Sequence, residues 1–447
     1  MSCFNSCNAP KNSHSPPNIL IIYVDDMGIG DAQFSGGKSI STPNLDRLAQ
    51  NGKVFTQYYT TAPVCSPSRV SVTTGMYHIR WGINTYLAKR EKNRLCEQSN
   101  YLASTAPTLA RSLKEAGYRT AHFGKWHMGG GRDVDNAPPI TSYGFDAYSS
   151  TWESPDPDPL LTSSNWIWAP TDSIKRWERT AYFIDRTLAF FKENAGQPIF
   201  VNLWPDDVHT PWVGSEEAQS QPRETFFSQE NLEPVMQEMD KEIGRLEEGL
   251  KALGVWENTL LVFTSDNGPR PSFDQLRTNE LRGEKNSLYE GGVRMPFFVH
   301  WPAKIKGGQI DTSSLIASID LHPTLCALAS VETVSADPLD GENIEKAIIG
   351  PQSYKRNKPL FYEFGRNSHY IFPIDSIHRS PQLAIREGKW KLLANPNGSQ
   401  VALYNLELDP QESRNLSEDE PSRVKSLQTS LIDWYTVNDK EQLRQQK

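Results

Sequence analysis

The chain alternates between short, continuously apolar runs and longer segments whose apolar positions recur with helical spacing, the pattern of a sheet covered by helices. The runs Asn18–Val24, Arg119–Phe123, Ile199–Leu203, Thr259–Thr264 and Pro296–His300 predict strands, most of them hydrophobic throughout, as strands buried on both faces must be. Helices are predicted at Pro43–Gln50, closed by Asn51-Gly52, at Thr108–Ala116, closed by Gly117, and at Pro234–Leu253, closed by Gly254. From about residue 341 the period changes. Leu383–Arg386 and Lys389–Leu393 alternate and meet at Glu387-Gly388, which predicts a hairpin, followed by a strand near Val401–Leu406 and a helix near Pro421–Tyr435. The expected architecture is α/β, a large mixed, mostly parallel sheet sandwiched by helices over residues 18–340. A small C-terminal α+β subdomain, a short antiparallel sheet plus a helix, follows over 341–447, and a polar segment occupies 1–17.

Composition narrows the function classes. The formal charge of -8, with basic residues scattered rather than blocked, argues against nucleic acid as the partner, so an anionic substrate would need a locally positive pocket. The longest apolar run, Asn18–Val24, is too short to span a bilayer, so no transmembrane segment is expected. Residues 1–17 lack the basic start and apolar stretch of a secretory signal. As written the chain reads as cytoplasmic, or as periplasmic or lipid-anchored through Cys7 where an upstream signal is missing. The five cysteines, Cys3, Cys7, Cys65, Cys96 and Cys326, have no metal-ligand spacing and no disulfide pattern, and Cys96 and Cys326 read as inert, the latter buried.

The chemistry gathers after the strands. Open α/β sheets bind ligands outside the carboxyl ends of their strands. The runs end in Asp25-Asp26, in Gly124-Lys125-Trp126-His127, in Pro205-Asp206-Asp207-Val208-His209 and in Ser265-Asp266-Asn267-Gly268. Adjacent carboxylates at a buried strand end repel unless a cation sits between them, and Asp25, Asp26, Asp266 and Asn267 offer only oxygen ligands. That set suits calcium at roughly 2.3–2.6 Å, or magnesium in a tighter shell, although either dipeptide alone is also ordinary turn chemistry.

In Pro63-Val-Cys65-Ser-Pro67-Ser-Arg69, Pro67 fits a first helical position and Ser66 the cap before it, which places Cys65 at a helix start, a seat for an anion. From these residues alone Cys65 is a low-pKa thiolate assisted by Arg69 or a buried structural cysteine. His122 reads as a core residue, and His300 and His322 lie outside every motif.

Cys65-Ser-Pro67-Ser-Arg69 followed by Thr74-Gly75 resembles the signature of type I sulfatases of the alkaline phosphatase superfamily, in which the cysteine is oxidised to formylglycine. The other landmarks follow in the family's order: Val24-Asp-Asp-Met-Gly28, Lys125-Trp-His127, His209-Thr-Pro211, Ser265-Asp-Asn-Gly268 and the segment Arg282–Arg294. The resemblance reaches the C-terminal Leu403-Tyr-Asn-Leu-Glu-Leu-Asp-Pro-Gln-Glu. It implies an alkaline-phosphatase-like fold and one calcium ion, magnesium being the alternative, held by Asp25, Asp26, Asp266 and Asn267 with the modified Cys65. It also implies that Arg69, Lys125, His127, His209 and Lys285 surround the aldehyde and the sulfate, and that a formylglycine-generating maturation enzyme is a partner.

The mechanism so implied is attack on sulfur by a hydroxyl of the hydrated aldehyde, helped by Arg69 and the metal. Lys125 and Lys285 neutralise the sulfuryl oxygens, His209 protonates the departing alcohol, and His127 deprotonates the second hydroxyl so that sulfate is eliminated. The stretch Val24–Tyr77 resembles the N-acetylgalactosamine-6-sulfatase-like branch, which implies a sulfated saccharide cut from an accessible end. Trp152, Trp166 and Trp168 around a Pro155–Pro159 surface loop, with Arg270, Arg277, His369, His378 and Arg379, are the expected rim. The rival readings are a phosphonate monoester or phosphodiester hydrolase on the same fold, and a non-catalytic carbohydrate-binding relative.

Overall fold

The computed structural model describes residues 15–161, 168–366 and 373–445. Its strands, in chain order, are β1 (Asn18–Val24), β2 (Lys53–Phe55), β3 (Tyr58–Tyr59), β4 (Arg119–Gly124), β5 (Ala147–Ser150), β6 (Ile199–Trp204) and β7 (Thr259–Ser265). They continue with β8 (Phe297–His300), β9 (Gln309–Asp311), β10 (Ile316–Ala317), β11 (Leu360–Glu363), β12 (Leu383–Glu387), β13 (Trp390–Ala394) and β14 (Ala402–Asn405). Eight of them form one sheet in the order β5-β4-β6-β1-β7-β8-β2-β9, parallel throughout except for β8, which runs antiparallel to both of its neighbours. A second, antiparallel sheet runs β11-β12-β13-β14, and β3 pairs with β10.

The continuous hydrophobicity of β1 has a direct structural use. Ile19, Ile21 and Tyr23 enter the core on one face of the sheet, with Leu109, Leu113, Leu321 and Cys326. Leu20, Ile22 and Val24 enter the core on the other, under the helices Arg179–Glu193 and Gln229–Ala252. A polar side chain on either face would lose roughly 1.5–3 kcal/mol of burial free energy. The expected α/β class is therefore correct, and the predicted strands and hairpin are present. The long helix starts at Gln229, earlier than its predicted start at Pro234, and the C-terminal helix runs over Pro421–Gln445. Pro234 lies in the second turn, so the hydrogen bond it cannot donate is lost near the fraying end.

His122 is buried among the rings of Trp126, Phe145 and Trp204, His300 stacks on Trp256, and Cys96 and Cys326 are buried. Cys3 and Cys7 lie outside the described residues. Among the described residues no helix is long and apolar enough to cross a membrane.

Candidate active site

The sheet order sets β4, β6, β1 and β7 side by side and parallel, so the segments that follow them emerge together at one edge. Pairing of Val24 with Ser265 brings Asp25-Asp26 beside Asp266-Asn267. Gly124 ends β4 with φ +119°, where a Cβ would meet the Trp204 carbonyl oxygen at 2.0 Å. Glycine therefore lets the chain turn tightly into Lys125.

Asp25, Asp26 and Asp266 are buried and present carboxylate oxygens within 4.8 Å of one another, the one such trio among the described residues. Asn267 donates from Nδ2 to Asp26 Oδ1 at 2.7 Å, while its own Oδ1 has no hydrogen-bond partner and Asp25 Oδ1 has only an ion pair with Arg69 Nη2 at 3.3 Å. Buried oxygens left unbonded are costly, and three carboxylates gathered with them form an all-oxygen donor set that fits a hard divalent cation. Burial, then the charge of Asp25, pushes the Asp266 carboxyl well above its ordinary range despite Arg69. Such a group stays ionised when a cation sits beside it.

Protein cations bracket the trio. Arg69 donates to Asp266 Oδ2 from Nη2 at 2.7 Å and Nε at 3.1 Å, and to the Lys125 carbonyl at 2.8 Å. Lys125 Nζ donates to Asp25 Oδ2 at 2.8 Å, and Lys285 Nζ to both oxygens of Asp26 at 2.6 and 2.7 Å. His209 Nδ1 lies 2.6 Å from the Thr210 carbonyl and Nε2 lies 3.6 Å from Asp26 Oδ2. Arg176 fixes that loop by donating to the His209 carbonyl at 2.7 Å and to Asp206 Oδ2 at 2.6 Å. Burial lowers the His209 imidazole to about 4, with Lys285 adding to the effect.

Above this floor lies a cavity of about 630 Å³ whose wall includes Cys65, Lys125, His127, His209, Lys285 and Asp26. The helix bearing Cys65 spans Cys65–Thr74. Its cap is Val64, so Ser66 is not the cap and Pro67 is not its first residue. The Ser66 hydroxyl instead accepts from the Leu87 amide at 2.9 Å, which holds a neighbouring loop in place of the helix end. Burial raises the Cys65 thiol against the pull of Lys125 and Lys285, and the Arg69 guanidinium is committed to Asp266. The thiolate reading is thereby weakened.

The expected rim is largely elsewhere. Trp152 and Trp168 are buried, Arg277 is tied to Asp31, His378 accepts from the Gly283 amide, and Arg379 binds the Pro373 and Ile374 carbonyls. Of that set only Arg270 reaches the cavity, and Trp166 and His369 lie outside the described residues. The wall contains instead Tyr86, Arg132, Glu153, Phe227 and Ile374, none of them in a motif. Glu153 had one usable signal: it lies just past the end of β5, whose Ala-Tyr-Ser-Ser sequence is too polar to stand out as a strand.

Residues 17–331 match the family model described as Sulfatase, and residues 283–437 match the model described as N-sulphoglucosamine sulphohydrolase, C-terminal. The chain belongs to the sulfatase family and is a sulfuric ester hydrolase with an alkaline-phosphatase-like fold. It is 28% identical to an N-acetylgalactosamine-6-O-sulfatase of Bacteroides thetaiotaomicron, across 94% of this chain and 93% of that protein. To the N-acetylgalactosamine-6-sulfatase of Homo sapiens it is 30% identical, across 78% of this chain and 69% of that one. A solved structure from work on the metabolism of multiple glycosaminoglycans by Bacteroides thetaiotaomicron superposes with a TM-score of 0.76 at 25% identity, covering 95% of this chain and 99% of that one.

Proposed function

We propose that this chain removes sulfate from a sulfated carbohydrate, with residue 65 as formylglycine and one divalent cation in the site. The observation that carries the reading is the single cavity in which Cys65, two lysines and two histidines stand over three buried carboxylates. Asp25, Asp26, Asp266 and Asn267 would hold the cation, calcium or magnesium, which supplies positive charge for the nucleophile and the sulfate oxygens. Oxidation of Cys65 to the aldehyde supplies, once hydrated, a hydroxyl nucleophile in place of a thiol.

The protein's own groups have separable tasks. Lys125 and Lys285 reach the cavity while anchored on Asp25 and Asp26, so they meet the sulfuryl oxygens already oriented. His209, at the cavity wall, donates a proton to the departing alcohol oxygen, because an alkoxide is too basic to leave unaided near neutral pH. Its depressed pKa is met by the negative charge of the bound ester, which favours the protonated ring. His127 accepts the proton whose loss releases sulfate, and Glu153 Oε2, 3.2 Å from Nδ1, stabilises the resulting imidazolium. Arg69 lies behind these groups and holds Asp266 and the Lys125 backbone in register.

The saccharide reading is supported by the relatives' names and by the wall itself. Tyr86, Phe227 and Ile374 offer apolar surface to the C–H faces of a sugar, beside the polar Arg270. Cys65 is 2% exposed in the folded chain and Ser66, Ser68 and Arg69 are fully buried, so the maturation enzyme acts before folding is complete. A screen of sulfated mono- and oligosaccharides against small aryl and steroid sulfates tests the substrate class. Specificity constants should favour a saccharide, and a clear preference for the aryl or steroid esters would overturn it.

A further inference from the structure

One buried carboxylate in the anion pocket has no place among the cation ligands. Glu153 shares the cavity wall with Cys65, Lys125 and Lys285, in a pocket whose occupant is negatively charged. Its Oε1 accepts from Arg132 Nη2 at 2.7 Å, and its Oε2 lies 3.2 Å from His127 Nδ1 and 3.7 Å from Lys125 Nζ. Arg132 in turn lies over the Trp152 ring, 4.7 Å from its centre, and the His127 amide donates to the Glu153 carbonyl at 2.9 Å. The carboxylate is fixed from both ends. Burial alone would raise it, but His127 when protonated, Lys125 and Arg132 outweigh that and bring it to about 2, and with the His127 ring neutral the Lys125 and Arg132 charges still favour the ionised carboxylate at neutral pH.

An ionised carboxylate here repels any anionic substrate, and its effect grows with the substrate's charge. The cations around the cavity are Lys125, Lys285, Arg132 and Arg270, with Arg69 behind them. The carboxylates are Asp26 and Glu153, with Asp25 and Asp266 behind. The three aspartates belong to the cation set. Glu153 is therefore the carboxylate that sets the pocket's charge independently of the cation. A sulfate monoester carries one negative charge, whereas a phosphate monoester carries nearly two at pH 7.

We propose that Glu153 is a specificity-determining residue that lowers the positive charge of the pocket by one and so selects a singly charged sulfate ester over a doubly charged phosphate ester of the same alcohol. This rests on the sulfate-ester chemistry argued above. One charge removed several ångströms from the ester, at an effective dielectric of about 20, shifts the discrimination by on the order of tenfold or more.

The test uses the matured enzyme and a matched pair, 4-nitrophenyl sulfate and 4-nitrophenyl phosphate. Glu153→Gln keeps the size of the side chain and an acceptor for Arg132, and should raise the phosphate-to-sulfate ratio of kcat/KM by about tenfold or more. Glu153→Asp should leave the ratio near that of the wild type, and Arg132→Gln, which removes a positive charge, should lower it. A role confined to holding His127 predicts something different: Glu153→Gln would slow both esters by the same factor and leave the ratio unchanged. An unchanged ratio, or phosphate turnover as undetectable in Glu153→Gln as in the wild type, overturns the proposal. Should Glu153→Gln fail to fold, a ratio in Arg132→Gln that stays level or rises does the same. A wild-type enzyme that turned over the phosphate and not the sulfate would overturn the underlying sulfate reading instead.

Discussion

The floor of the cavity and its rim are built by different parts of the chain under different constraints. On the floor, Asp25, Asp26, Lys125, Asp266 and Asn267 follow directly from the ends of β1, β4 and β7, and each is at most 1% exposed. Each is tied to a neighbour by bonds of 2.6–3.1 Å. On the rim, Phe227 is 49% and Ile374 73% exposed, and both sit on connecting segments outside the sheet. A strand end placed by backbone hydrogen bonds can hold charges that must not move, whereas a loop can change its side chains without disturbing them. The floor should therefore decide whether sulfate is removed at all, and the rim from what.

That division can be broken by experiment. Cys65→Ala removes the proposed nucleophile and should cut kcat by at least about 10³-fold while leaving the fold intact, as far-ultraviolet circular dichroism would show. Exhaustive chelation should abolish turnover and lower Tm together, since Asp25, Asp26 and Asp266 would then repel, and calcium or magnesium should restore both. Fully active protein without a divalent metal by elemental analysis would contradict the floor assignment. His209→Ala should cost about 10²–10³-fold on a sugar sulfate and far less on 4-nitrophenyl sulfate, whose leaving group needs no proton. Equal losses on the two esters would remove His209 as general acid. Phe227→Ala should be the mildest change, raising KM for a saccharide several-fold with kcat unchanged. A fall in kcat at this exposed position would erase the distinction between floor and rim.

The same distinction explains what could be read from the sequence. Asp25-Asp26, Lys125, His209 and Asp266-Asn267 were legible because each follows a strand whose unbroken apolar run is conspicuous, and the parallel order brings those ends together. The edge strands β5 and β9, and β2 beside β9, were not legible, being short and partly polar, and with β5 went Glu153. Rim residues such as Phe227 and Ile374 carry no local signal, because their position depends on loops whose course is set by packing against distant segments. Trp152 and Trp168, expected there, were misplaced for a related reason. Trp168 packs with Val213 and Phe226 in a small core of its own, since a large ring near a loop gains more from burial than from solvent. The Ser66 cap failed because the hydroxyl was drawn to the Leu87 amide, a contact 21 positions away in the chain.

Peptide mass spectrometry of position 65 in active enzyme bears most directly on the account. The formylglycine aldehyde should be found at that residue, and specific activity across preparations should rise in proportion to its fraction. Full sulfatase activity from protein carrying only unmodified cysteine at position 65 would contradict it.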